Sequence, residues 1–185
     1  MNHELAARLA KVRLLTLDVD GVLTDGSLYY TEAGDVMRRF NVRDGMGIKR
    51  VMTAGIGVVF VTQSATPAIA TRARMLGVTR CLQGVDDKLA AVGDLCAETN
   101  LTLADIAHMA DDINDLPLLS AVGLAATVPN AAVEVAAVAH WCSSRTGGDG
   151  AVREFCELLL GARRPAEARS HEGKGGRDSV AALKP

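Results

Sequence analysis

The sequence predicts one α/β domain, a Rossmann-like parallel sheet flanked by helices, and three observations carry that prediction. Short apolar runs of strand length alternate with longer helical segments, the pattern of a parallel sheet wrapped by helices. Hydrophobic residues make up 49% of the 185 residues and the formal net charge is −2, which suits one domain with a full core. Hydrophobic periodicity stops after Gly161, so the domain is expected over 1–162 and a disordered tail rich in Arg, Glu, Gly and Ser over 163–185.

The elements follow in order. Met1 to Lys11 is a short amphipathic stretch with charges on it, without the apolar centre of a secretion signal. Arg13 to Val19 is the first strand, an apolar run that ends in two carboxylates, Asp18 and Asp20, and then Gly21. Ser27 to Tyr30 and Val36 to Phe40 flank the turn-forming Thr31-Glu32-Ala33-Gly34-Asp35, so they read as a β-hairpin inserted directly after that strand. Further strands are expected at Gly57 to Thr62, Thr79 to Leu82, Ile106 to Met109, Gly123 to Ala126 and His140 to Cys142. Between them lie helices near Gly45 to Ala54, Pro67 to Leu76, Asp87 to Thr99, Asn114 to Ser120, Ala131 to Ala137 and Gly150 to Leu160. Pro67 and Asp87 stand where first-turn residues belong, and Gly55 and Gly77 where helices stop.

Composition excludes several classes of function. Basic residues are spread rather than clustered, which leaves no footprint for nucleic acid, and no apolar run is long enough to span a bilayer. Cys81, Cys96, Cys142 and Cys156 form no CxxC pair, so they read as small core residues in a reducing compartment, and the cytoplasm is expected. His3 and His171 lie near the termini, while His108 and His140 sit beside predicted strands without a partner at metal spacing, a structural pattern.

Four groups of residues fall at the ends of predicted strands, where ligands bind in open α/β sheets. Asp18 and Asp20 close the first strand, and Thr62, followed by Gln63-Ser64, closes the second long one. Lys88 opens a helix after the Gly84-Val85-Asp86-Asp87 turn, and Asp111, Asp112 and Asp115 follow Ile106 to Met109. Taken singly each has a structural reading as a turn, a cap or a solvated residue. Together they suit magnesium-assisted phosphoryl transfer. A phosphate monoester dianion repels a carboxylate nucleophile, so a cation and Lys88 must offset charge before attack. Asp18 would attack phosphorus to give an aspartyl-phosphate, Asp20 would act as general acid and then base, and the Thr62 hydroxyl would donate to a phosphate oxygen. The carboxylates of Asp18 and Asp111 with the Asp20 carbonyl would hold Mg2+, the late acidic cluster supplying hard oxygen ligands.

At these motifs the chain resembles the haloacid dehalogenase superfamily of phosphatases, whose pattern is DxD after strand one, Thr or Ser after strand two, a Lys and a late acidic cluster. DVDGVLTDG, Thr62, Lys88 and ADDINDLP occur in that order, and the likeness spans about Arg13 to Leu160. It implies the haloacid dehalogenase fold with the hairpin in place of a separate cap domain, since Thr62 to Lys88 leaves no room for one. Members of this kind usually close their sites by oligomerising, which implies a homotetramer whose hairpins pack near neighbouring sites.

Phe40-Asn41-Val42-Arg43-Asp44-Gly45-Met46-Gly47-Ile48-Lys49 and Gly147-Gly148-Asp149-Gly150-Ala151-Val152-Arg153-Glu154 resemble segments of the 3-deoxy-D-manno-octulosonate 8-phosphate phosphatase family. That likeness implies a sugar-acid phosphate as substrate, bound by Asp20, Asn41, Val42, Arg43, Asp44, Gly45, Lys49, Ser64, Arg72, Lys88 and Asp112. Two positions depart from it, because Ser64 and Asp149 stand where the family usually has arginine, whose planar fork grips carboxylate and phosphate. A nonulosonate 9-phosphate or another sugar phosphate is the alternative substrate, and a non-catalytic metal-binding interaction module is the alternative class.

Overall fold

The computed structural model describes residues 2–163, so the expected tail lies, Arg163 apart, outside the described residues. The N-terminal amphipathic stretch forms α1 (His3–Lys11), capped by Asn2, whose side chain accepts from the Leu5 amide. Six parallel strands follow: β1 (Leu14–Leu17), β4 (Gly57–Val61), β5 (Arg80–Leu82), β6 (Ile106–Met109), β7 (Leu124–Thr127) and β8 (Trp141–Cys142), in the spatial order β5-β4-β1-β6-β7-β8. The hairpin is β2 (Tyr29–Tyr30) with β3 (Val36–Met37), shorter than expected, and its arms are rooted on the domain by a Thr24–Phe40 bridge.

The helices are α2 (Val42–Thr53), α3 (Pro67–Leu76), α4 (Lys88–Thr99), α5 (Leu116–Ala121), α6 (Val133–Val138) and α7 (Ala151–Arg163). Helix α2 starts three residues before the expected Gly45, because the Asn41 side chain accepts from the Arg43 amide and supplies the cap. The segment expected to open at Asn114 instead starts as a 3-10 turn, Ile113–Asp115, and becomes helical at Leu116. Helix α7 runs three residues past its expected end at Leu160, and Arg163 donates to Val12 O and Ala54 O.

Strand alternation divides the core into two layers. Leu15, Leu17, Val58 and Phe60 pack with α2 and α7 on one face, while Leu14, Val59, Val61 and Ile106 pack with α4 and α5 on the other. Leu17 pairs with both Phe60 and Met109, so β4, β1 and β6 end level with one another. The chain leaves β1 towards β4 on one side and reaches β6 on the other. Asp18, Thr62 and Asp111 therefore emerge together at the point where strand order reverses.

Candidate active site

Local backbone geometry builds the site first. After β1 the Val19 carbonyl accepts from both Leu23 N and Thr24 N, closing a tight loop around Gly21 at φ +84°. A Cβ at Gly21 would lie 1.9 Å from Asp111 Oδ2, so the missing side chain makes the room that Asp111 occupies. A Cβ at Gly147 would lie 1.7 Å from Gly21 O. The glycine-rich segment before α7 thus buttresses the Asp18–Asp20 loop from behind.

Asp18, Asp20, Thr62, Ser64, Asp111 and Asp112 share a cleft of about 420 Å³, which Gln63 and Asn114 also line. Behind it runs a buried chain of charges. Lys88 Nζ lies 3.0 Å from Asp18 Oδ1 and 2.7 Å from Asp115 Oδ2, and its side chain is 2% exposed. Asp115 Oδ1 accepts from His108 Nε2 at 2.8 Å, and His108 Nδ1 meets the Thr16 hydroxyl at 2.9 Å. A carboxylate only accepts, so His108 donates to it through Nε2.

Burial pushes the Asp18 carboxyl up to about 6, with the Asp115 charge adding to the rise and Lys88 opposing it. Burial would also raise Asp115, but the His108 hydrogen bond and charge, together with Lys88, hold it below the usual carboxylate value. Burial disfavours a charged Lys88, yet Asp18 and Asp115 outweigh it and hold its pKa above the usual lysine value. Lys88 is therefore a fixed cation. It opens α4, where the helix dipole disfavours positive charge, and the two carboxylates compensate.

Opposite Lys88 the balance is reversed. Burial pushes Asp111 up to about 7, followed by the charges of Asp18, Asp112 and Asp115, and its Oδ1 is buried without a hydrogen-bond partner. Hard carboxylate oxygens crowded together with one orphaned atom suit a divalent cation. Among the described residues no group of three or more His, Cys, Asp or Glu side chains forms a cage. The donors available are two carboxylates and main-chain oxygen, which fits Mg2+ because that ion keeps several waters and takes substrate phosphate oxygens.

A pH-dependent response to magnesium follows. Asp18 and Asp111 have folded-state pKa values above the unfolded value of 3.8, so in metal-free protein their contribution is full below pH 4 and is lost as pH rises through about 6 to 7. A bound cation replaces the missing protons. His140, whose pKa burial lowers, acts with the opposite sign in the same window, so the informative readout is the magnesium-induced rise in Tm. By thermal denaturation that rise is expected to be larger at pH 8 than at pH 5.5, by about 3 °C or more. Equal rises at both pH values would count against cation binding at these carboxylates.

The structure separates the expected site residues into groups. Thr62 is buried at the cleft and accepts from Ser64 N through its hydroxyl oxygen, which leaves the hydroxyl proton free to donate. Asp112 is exposed and accepts from Ile113 N. Asp115, a member of the late acidic cluster outside the expected magnesium set of Asp18, Asp20 and Asp111, faces Lys88 and His108, because the 3-10 turn carries it back under the sheet edge. Asn41, Val42, Arg43, Asp44, Gly45, Lys49 and Arg72, expected to bind substrate, do not line this chain's cleft.

Their positions have local causes. Asp44 is buried and accepts from Arg153 N, capping the first turn of α7. Arg72 donates to Asn41 O and lies over the Phe40 ring, and Gly45 leaves space for its guanidinium. Val42, Arg43 and Lys49 are exposed on α2. The four cysteines are unpaired, and no helix among the described residues is long and apolar enough to cross a membrane.

Two residues outside the expected set complete the site. His108 supports Asp115 from within the apolar β6 run, where its strand position alone predicted a structural role. Arg38, beside the hairpin strand β3, reaches Asp20, and the Arg38-Arg39 pair carried a signal, since strand alternation turns one of two neighbours inward.

Several known proteins are similar to this chain in sequence and fold. Residues 82–155 match the haloacid dehalogenase-like hydrolase family. The 3-deoxy-D-manno-octulosonate 8-phosphate phosphatase of Yersinia pestis is 40% identical over 153 residues, covering 83% of this chain and 82% of that protein. The enzyme of the same name from Escherichia coli K12 is 37% identical over 175 residues, 95% of this chain and 91% of that one. The crystal structure of 3-deoxy-D-manno-octulosonate 8-phosphate phosphatase from Moraxella catarrhalis in complex with magnesium ion, phosphate ion and KDO superposes with a TM-score of 0.87 at 33% identity, covering 94% of this chain and all of that one.

Proposed function

This chain belongs to the haloacid dehalogenase-like hydrolases, among their 3-deoxy-D-manno-octulosonate 8-phosphate phosphatases, and on that footing we propose that it releases phosphate from this sugar acid through an aspartyl-phosphate on Asp18. The observation that carries the reaction is the pairing of Asp18 with a buried Lys88 on one side and the partnerless Asp111 oxygen on the other.

Mg2+ would be held by Asp18, Asp111 and the Asp20 carbonyl, and when bound it supplies positive charge beside the phosphate. Lys88 grips Asp18 Oδ1 and neutralises charge at the back of the cleft. The other Asp18 oxygen bonds to phosphorus as the bond from phosphorus to the sugar oxygen breaks, and Asp20 gives that oxygen a proton. A water then attacks phosphorus and passes its proton to Asp20. The Asp18 carboxylate leaves, and inorganic phosphate is released. Thr62 donates its hydroxyl to a phosphate oxygen, and Ser64 and Asp112 line the way in.

Exposed Leu28, Tyr29, Tyr30 and Met37 on the hairpin, with Val42 and Met46 at the start of α2, support a homotetramer. In that assembly Asn41, Val42, Arg43, Lys49 and Arg72 act at a subunit boundary rather than in their own chain's cleft, while the buried Asp44 and Gly45 hold α2 against α7 and Arg72. Sedimentation at assay concentration is expected to give four times the chain mass, and a monomer would sink this reading. Four unpaired cysteines fit the reducing cytoplasm as its place of work.

The activity is tested by magnesium-dependent phosphate release from a panel of phosphorylated sugars that includes the octulosonate 8-phosphate and nonulosonate 9-phosphates. The octulosonate ester is expected to have the highest kcat/KM. Preference for a nonulosonate ester would move the substrate, and metal binding without turnover would leave a binding module.

A further inference from the structure

Arg38 lies at the root of the hairpin with its side chain 3% exposed, while its neighbour Arg39 points outward at 53% and pairs with Asp25. A buried guanidinium is costly unless its donors are matched. Arg38 Nε donates to Asp20 Oδ1 at 2.7 Å and Nη2 donates to Asp20 Oδ2 at 3.1 Å, a two-point fork on one carboxylate. Nη2 also donates to Ser64 Oγ at 2.7 Å, and Nη1 to Thr66 Oγ1 at 2.9 Å. One side chain therefore ties the hairpin to the loop after β1 and to the loop after β4. The neutral Ser64 permits this arrangement, since a cation at that position would face the guanidinium.

Asp20 is the group that needs holding. It stands two residues beyond the strand-end Asp18 with its side chain 34% exposed, and apart from Arg38 no side chain among the described residues is hydrogen-bonded to its carboxylate. A general acid works only within hydrogen-bond reach of the leaving oxygen. A single-point contact leaves the carboxylate plane free to turn, whereas the fork fixes both its direction and its plane. We propose that Arg38 is a positioning residue that orients the Asp20 carboxyl for proton transfer to the leaving sugar oxygen, an inference that rests on the phosphatase reading.

The test uses leaving groups that differ in their need for a proton. A sugar alkoxide is a poor leaving group and needs one, whereas p-nitrophenolate departs with little help. Steady-state kinetics in Mg2+ are measured for wild type, Arg38→Met and Arg38→Lys on a sugar-acid phosphate and on p-nitrophenyl phosphate, with melting curves for each variant. Arg38→Met is expected to lower kcat on the sugar ester about 100-fold, with KM little changed, and on the aryl ester less than about 5-fold. Arg38→Lys is expected to fall between, because an ammonium holds a carboxylate without the planar fork.

Equal losses on both esters would overturn the proposal and leave Arg38 as a latch for the hairpin, and no loss on either would overturn it too. If the wild type ignores the octulosonate ester but cleaves another alkyl phosphate, the split is read on that ester, so the substrate assignment falls separately. A wild type inactive on every ester overturns both readings.

Discussion

Asp18→Asn is expected to abolish phosphate release while leaving the fold intact. The substitution removes the anionic oxygen that would bond to phosphorus, and loss of a covalent nucleophile lowers kcat by about ten-thousand-fold or more. The amide oxygen can still accept from Lys88, so the 3.0 Å contact has a neutral replacement. Stability separates chemistry from misfolding. Because burial pushes Asp18 up to about 6, metal-free wild type at pH 8 carries an ionised carboxylate whose charge opposes folding. Asparagine has no such charge, so the metal-free variant is expected to melt at or above the wild-type temperature at pH 8. Activity within about ten-fold of wild type would remove Asp18 from the nucleophile's role.

Lys88→Met is expected to damage both stability and catalysis. Lys88 is the cation shared by two buried carboxylates, at 3.0 Å from Asp18 and 2.7 Å from Asp115. Removing one partner of a buried ion pair costs about 3–5 kcal/mol, because the remaining charge stays desolvated. For a domain of this size that lowers Tm by roughly 10 °C. Phosphate release should fall about a thousand-fold, since a preorganised charge at the reacting group is lost. Lys88→Met combined with Asp115→Asn distinguishes the two effects. The second change removes one of the stranded charges while keeping an acceptor for His108, so much of the lost Tm should return without activity. Recovery of activity in the double variant would mean that Lys88 serves folding alone.

The local elements were legible because their signals are local. Apolar runs marked all six strands of the sheet, Pro67 and Gly77 bounded α3, and a turn-forming pentapeptide announced the hairpin. The cleft residues Asp18, Thr62 and Asp111 were legible for a related reason, since each lies within two residues of a strand end and parallel strands bring their ends to one edge. What short-range pattern could not show was direction. Asp115 and Asp111 sit four residues apart in one acidic cluster, yet one turns back to Lys88 and His108 while the other faces the cleft. The run from Asn41 to Lys49 resembles a substrate-binding segment, yet within one chain it caps α2, caps α7 and anchors Arg72.

By itself the sequence determined the fold class, the order of the strands and helices, and the set of oxygen-bearing residues at the sheet edge, because these depend on periodicity and on residues adjacent to strand ends. Only the tertiary structure decided which charges meet. Lys88 and Asp115 are 27 positions apart and Arg38 and Asp20 are 18 apart, and such pairs form only when crossover helices and a folded-back hairpin carry them into contact. Ion pairing and desolvation act through distances of a few ångströms in space, a quantity that separation along the chain does not contain.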